Sequence, residues 1–292
     1  MLNFNEKYSE YLKLFNDKLD EYISSYSKSC PKLLGDSMAY AVVDGGKRVR
    51  PILCIATAEM LGVPIEQVIY YALAIEFIHS YSLVHDDLPA MDNDDYRRGK
   101  LSTHKKFGEA FGILAGDGLL NLAIETCLKK QCINENDAEA MRILFDCSGA
   151  KGMIAGQVLD LYNEKNPEIS EDKLFAIIEN KTSKLILAPV LIASCVSGGK
   201  YYNELKEFAF KLGILFQITD DIMDVEGDVA TIGKTPHKDE QSDKLTSVKL
   251  YGLDGAKEKA FALYNDCKKI LKTIPNNEFL DKFTDKMYLR KS

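Results

Sequence analysis

Two stretches of this 292-residue chain, Val68–Val84 and Leu205–Val225, carry apolar side chains on almost every face a helix would have, and each runs into a cluster of aspartates. A helix that is apolar all round must be enclosed by other helices. The rest of the chain supplies them. Apolar residues recur at three- and four-residue spacing in Tyr8–Tyr26, Ile52–Met60, Ala110–Leu128, Ala138–Leu161 and Leu174–Val196. Gly45-Gly46, Gly62-Val63-Pro64, Asn166-Pro167 and Gly198-Gly199 punctuate these stretches. No strand-like alternation persists, and there is no repeat, low-complexity tract or linker. The expectation is an all-α chain, one domain over residues 1–292, with enough apolar content (46%) for a large core.

Composition narrows the function classes. A net charge of -7 argues against a nucleic-acid partner, which calls for a basic footprint. Seven scattered cysteines without a CxxC pair fit a reducing compartment. The opening, MLNFNEKYSE, is polar and unlike a signal peptide. The longest apolar run, Leu185–Val196, contains Pro189 and is too short to span a bilayer. These features predict a soluble, cytoplasmic protein with no stable membrane insertion.

The aspartates lie where the two inner helices end. In FKLGILFQITDDIMD, Asp220 and Asp224 are four apart and share a helix face, with Asp221 about 100° away. In HDDLPAMDNDD, Asp86 and Asp92 are six apart and cannot share a face on a continuous helix. Pro89 resolves this: it has no N–H and its ring clashes with the carbonyl of His85, so the helix kinks or stops, and a short loop can return Asp92 toward Asp86. Carboxylates gathered at an apolar helix end repel one another and need cations. Lys and Arg can serve. An open carboxylate pocket also suits Mg²⁺, which takes one or two protein carboxylates and completes its shell with water and phosphate oxygens. Two such clusters facing each other would grip a diphosphate. Taken alone, either cluster reads equally well as a solvated helix end. A calcium loop starting at Asp92 fails, because Arg97 and Thr103 stand where glycine and glutamate are needed.

The cations form a second set. Gly45-Gly46-Lys47-Arg48-Val49-Arg50-Pro51 is a flexible turn entering a helix, with Pro51 suited to its first position and Lys47 and Arg50 three apart. Such a turn is also common on surfaces. His79 lies two turns before Asp86 on nearly the same face, which fits a core histidine as well as a ligand. Arg97 and Arg98 follow the first cluster, and Lys181-Thr182, Lys234 and Lys244 are further candidates for phosphate contact.

Together, the ordered set GGKRVRP, HDDLPAMDNDDYRRG, GQVLD, KT, FQITDDIMD and GKT, over about residues 45–244, resembles the trans-polyprenyl diphosphate synthase family. The resemblance implies the isoprenoid synthase fold, a helical bundle around a central cavity. It also implies a homodimer, Mg²⁺ dependence (three ions per site, Mn²⁺ being the other candidate) and isoprenoid diphosphates as substrates. By position, Asp86, Asp87, Asp92, Asp220, Asp221 and Asp224 match the metal ligands. Arg97, Lys181, Thr182, Gln217, Lys234 and Lys244 match contacts to the allylic diphosphate. Gly46, Lys47, Arg50, His79 and Arg98 match the isopentenyl diphosphate site, and Gln157 and Asp160 a polar pair of the cavity.

Tyr81 lies five residues before Asp86, about 7.5 Å along a helix axis. A ring at that depth can stop a growing chain, or simply pack in the core. In the family, an aromatic there together with the four-residue gap Leu88–Met91 is similar to bacterial farnesyl diphosphate synthases. The expectation is therefore a fifteen-carbon product, with the twenty-carbon geranylgeranyl product as alternative. Leu101, Ser183, His237 and Ser247 depart from the family pattern, and the end, MYLRKS, keeps Arg290. Two rival readings are a terpene cyclase, which needs no second diphosphate site, and a non-catalytic partner subunit, which would be expected to lose aspartates.

Overall fold

A computed structural model describes residues 3–43, 45–130, 133–165, 169–226 and 244–290. Helices dominate it, and the only strands among these residues are two of two residues each. Cα proximity groups the chain into two compact units, Met1–Ile55 with Pro64–Asn134 and Ala56–Val63 with Glu135–Ser292.

In the first unit, α1 (Phe4–Ser27) starts at a capping box in which Asn3 and Glu6 satisfy each other's backbone N–H groups. It buries Tyr8, Tyr11, Phe15, Leu19 and Ile23, one stripe at helical spacing. Then come α2 (Lys32–Val42), the beginning of α3 (Val49–Met60), α4 (Ile69–Asp86), the short α5 (Thr103–Phe107) and α6 (Glu109–Leu128). Helix α4 is the inner helix: Tyr71–Ile78, Ser80, Tyr81 and Val84 are all buried. It packs mainly against α6, where Gly116 leaves room for the His85 ring. Between α4 and α5, β1 (Tyr96–Arg97) and β2 (Lys100–Leu101) form an antiparallel hairpin turning at Arg98-Gly99, both at positive φ (53° and 77°). That is the two-residue turn whose twist suits a hairpin.

The second unit contains α7 (Glu135–Ser148), α8 (Met153–Lys165), α9 (Glu171–Ile177), a π-helical turn (Ile178–Ser183), α10 (Lys184–Val196), α11 (Tyr202–Glu226), α12 (Ser247–Leu271) and α13 (Glu278–Tyr288). Helix α11 packs chiefly on α12 and α10.

Some local expectations change. The stretch Ala138–Leu161 is two helices, broken at Gly149–Gly152, where a Cβ on Gly152 would lie 2.1 Å from the Cys147 carbonyl oxygen. Pro51 is the third residue of α3 rather than the first; its missing N–H is still one the helix leaves without an internal partner. Helices α2, α12 and α13 lie outside the stretches that periodicity marked, although α13 buries Leu280, Phe283 and Met287 at helical spacing. Six of the cysteines fall among the described residues, all as free thiols.

Candidate active site

The first aspartate cluster forms as its spacing requires. Helix α4 stops at Asp86, and the loop returns so that the Asp92 N–H bonds the Asp86 carbonyl at 2.8 Å and the Asp94 N–H bonds that of Asp87 at 3.1 Å. The carboxylates then divide. Asp87 is 2% exposed and is ion-paired with Arg97, which also reaches Asp94. Burial pushes the Asp87 carboxyl up despite that pairing. Asp86 and Asp92 remain partly open to solvent.

The second cluster, in the other unit, divides likewise. Asp221 is 4% exposed, accepting from the Ser247 N–H at 2.8 Å and from the Gln217 amide at 2.9 Å, and burial pushes its carboxyl up to about 7. Thr182 donates to the Gln217 carbonyl oxygen at 2.8 Å. A relay thus runs from the π-helical turn through Gln217 and Asp221 to the start of α12. Asp220 is half exposed and faces Arg290 at 3.2 Å, while Asp224 is partly exposed. The Arg290 guanidinium lies 4.0 Å from the Phe216 ring centroid and donates to the Phe216 carbonyl. Lys181 is ion-paired with Asp160, and Lys244 lies 3.6 Å from Glu164. Gln157 is part-buried on the same helix as Asp160. Lys234 lies outside the described residues.

These donors are carboxylate oxygens, the chemistry of a hard cation rather than of zinc or copper. Among the described residues no group of three or more metal-binding side chains forms a ready cage. Mg²⁺ does not require one, since water and substrate phosphate complete its shell. In each unit the partly exposed carboxylates, Asp86 and Asp92 in the first and Asp220 and Asp224 in the second, suit that ion. Asp87 and Asp221 are turned inward to hold Arg97, Gln217 and Ser247.

A concentration of cations lies in the first unit. The glycine turn has φ of 88° at Gly45 and 103° at Gly46, a region in which side chains are rare. The hairpin delivers Arg98 to it: Arg98 donates to the Gly45 carbonyl at 3.1 Å, and a Cβ on Gly46 would sit 2.9 Å from the guanidinium carbon. An Arg50 guanidinium nitrogen lies 3.5 Å from His79 Nε2, and Lys47 is exposed. Burial first, then Arg50, Arg98, Arg97 and Arg48, holds His79 well below the usual histidine range. A neutral imidazole surrounded by guanidinium groups is an environment that favours a polyanion. Gly46 and Arg98 are therefore brought together, as are Arg50 and His79, with Lys47 next to Gly46 in the chain and exposed. Sequence reasoning had no basis for setting Arg48 apart from its neighbours: it is 3% exposed and ion-paired with Glu76.

Tyr81 is 5% exposed, and its hydroxyl is buried without a hydrogen-bond partner among the described residues. Burial, then the Asp86 charge, pushes it up to about 12. Its ring meets His85 edge-on at 5.9 Å.

An all-helical chain carrying two aspartate clusters and a separate cationic pocket has the parts of a diphosphate-handling enzyme. The polyprenyl synthetase family model matches residues 31–280, and the chain belongs to that family of prenyltransferases. It is 40% identical to a farnesyl diphosphate synthase of Haemophilus influenzae, over 98% of this chain and 99% of that protein. It is also 40% identical to a chloroplastic geranylgeranyl pyrophosphate synthase of Catharanthus roseus, over 82% of this chain and 69% of that one. A solved geranyltransferase from Helicobacter pylori, complexed with magnesium and isoprenyl diphosphate, superposes with a TM-score of 0.79 at 33% identity, covering 94% of this chain and 95% of its own.

Proposed function

We propose that this chain is a farnesyl diphosphate synthase. It condenses isopentenyl diphosphate with dimethylallyl or geranyl diphosphate, head to tail. The observation that supports this reading is the group of cations about the glycine turn, Arg50 beside His79 and Arg98 on Gly45, with Lys47 in the same loop. A terpene cyclase has no use for it, and a non-catalytic partner has no use for two intact aspartate clusters.

The roles follow from chemistry. Asp86 and Asp92 in the first unit and Asp220 and Asp224 in the second would hold Mg²⁺, with three ions per site, or Mn²⁺ in their place, expected, while Asp87 and Asp221 hold Arg97, Gln217 and the Ser247 amide. When bound, the metal supplies positive charge to the leaving diphosphate. Arg97, Lys181 and Lys244 add positive charge toward the allylic substrate, with Thr182 and Gln217 as polar contacts; Lys234, outside the described residues, is assigned the same role from its place in the sequence. Lys47, Arg50, His79 and Arg98, with the Gly46 backbone, hold the diphosphate of isopentenyl diphosphate. The allylic C–O bond breaks, the electron pair leaves with the diphosphate, and the isopentenyl double bond attacks the resulting cation. A proton is then lost to the released diphosphate, since no motif residue reads as a dedicated base. Water must be kept from the cation.

Tyr81 is the floor that limits chain length, and its burial five residues below Asp86 supports that role. A geranylgeranyl product is the second reading, favoured by the Catharanthus roseus relative. Incubating the purified protein with Mg²⁺, isopentenyl diphosphate and geranyl diphosphate should yield farnesyl diphosphate, and a chelator should abolish turnover. Tyr81→Ala should lengthen the product by at least one isoprene unit. Failure of the wild type to condense the two substrates overturns the reading; a twenty-carbon product overturns only the assigned length. The enzyme acts in the cytoplasm as a homodimer.

A further inference from the structure

The loop 45–50 is held from below by residues the reaction does not use. Arg48 adopts a positive φ of 47°, a conformation that side-chain-bearing residues sustain only where the surroundings impose it. What imposes it is visible. The Arg48 guanidinium donates to Glu76 on α4 at 2.6 Å, to the Val42 and Val43 carbonyls at 2.8 and 3.0 Å, and to the Asn16 side chain on α1 at 3.1 Å. The Arg48 and Glu76 side chains are 1% and 2% exposed. This arginine has turned its donors inward and balanced its charge internally. One residue earlier, the Tyr8 hydroxyl of α1 donates to the Lys47 carbonyl at 2.6 Å. Tyr8 is itself 7% exposed.

Helix α1 therefore grips the loop twice, through Tyr8 at Lys47 and through Asn16 at Arg48. It does so although it precedes residues 31–280, the part the family model matches. Fixing the carbonyl of Lys47 and the side chain of Arg48 leaves little freedom in the intervening peptide. The side chain of Lys47 is then turned outward, and the chain enters α3 with Arg50 on the side of His79. A loop with two glycines at positive φ has no such order of its own.

We propose that α1 is part of the isopentenyl diphosphate site: Tyr8 and Asn16, acting with the Arg48–Glu76 pair, are positioning residues that hold Lys47 and Arg50 ready for the diphosphate. This rests on the assignment of that pocket above. Removing Arg48 or Glu76 threatens folding, so the test uses Tyr8→Phe and Asn16→Ala. Tyr22→Phe, which removes a hydroxyl that accepts from Thr126 at 3.0 Å further along the same helix, serves as control. One hydrogen bond is worth about a two- to tenfold change in an equilibrium. Tyr8→Phe and Asn16→Ala should each raise KM for isopentenyl diphosphate by about that factor, with KM for the allylic substrate and kcat moving less than about twofold. Hydrogen exchange at residues 45–50 should quicken in the same variants and not in Tyr22→Phe. An unchanged KM for isopentenyl diphosphate, or equal increases for both substrates, overturns the proposal. Should the wild type not condense the substrates at all, the assigned function falls, and unaltered exchange at 45–50 would separately sink the role given to α1.

Discussion

His79 shows how little of a residue's role is visible from its own place in a helix. Its spacing from Asp86 was legible, but a core histidine would show the same spacing. The decisive fact is its company: Arg50 at 3.5 Å, with Arg98 delivered by a hairpin turn. Burial and these guanidinium groups keep the ring neutral well below its ordinary value of 6.5. The sign of the pH effect follows. The unfolded chain takes up a proton near 6.5 while the folded chain does not, so this residue's contribution to stability is complete above that value and is lost as pH falls below it. A bound polyanion reverses the local field. In a chelator-treated sample followed by NMR, the His79 ring should stay neutral down through pH 6.5. Inorganic pyrophosphate should move its titration upward; an unmoved titration would place the anion elsewhere. Arg48 makes the complementary point. Within GGKRVR three cations look alike, and only contact with Glu76, Asn16 and two carbonyls marks one of them as structural.

At the level of elements, the π-helical turn Ile178–Ser183 is the departure from regular structure that matters most. Turns of this kind are uncommon and occur often at functional sites. This one carries Lys181 and Thr182, and it is held between two glycines. A Cβ on Gly156 of α8 would lie 2.1 Å from the Lys181 nitrogen and 2.5 Å from its Cα, and one on Gly213 of α11 would lie 2.3 Å from the Ser183 hydroxyl. Ser183 is completely buried, donates to the Phe210 carbonyl at 2.8 Å and fits opposite Gly213. Gly156→Ala pushes against backbone, which cannot yield as a side chain can. It should cost about 1–3 kcal/mol of stability, as overpacking does, and lower kcat/KM for the allylic substrate more than KM for isopentenyl diphosphate. Thermal melts and steady-state kinetics measure both, and wild-type values in each would show that the turn tolerates displacement. The helices bearing this turn were readable from apolar spacing over Leu174–Val196. The widened turn was not, because one inserted residue changes a 3.6-residue period too little to stand out.

For the whole molecule, α6 raises the question of partners. It is the one described helix long and apolar enough to cross a membrane by length and composition. Its inner face packs against α4 and α2. Its outer face leaves Ile113, Leu114, Ile124 and Leu128 between 42% and 58% exposed, interspersed with Asp117 and Asn121. A second copy of the chain covers such a mixed face better than lipid does, because two polar side chains in hydrocarbon would need partners. Sedimentation in detergent-free buffer should give twice the 32.7 kDa chain mass, and Ile124→Lys should shift it toward the monomer. A wild-type protein that is monomeric, or that needs detergent, would rule this face out as the dimer contact.

The sequence by itself determined the helical class, the ends of both inner helices and the inventory of charges, including a proline-stopped helix that returns Asp92 to Asp86. Each of these is written in local spacing and residue type. Only the tertiary structure decided which charges turn inward. It buried Asp87 against Arg97, Asp221 under the Ser247 amide and Arg48 against Glu76, and it brought α1 onto the glycine loop. Those outcomes depend on which distant segments meet as the apolar faces pack, and side chains separated by tens of residues have no common pattern to announce it.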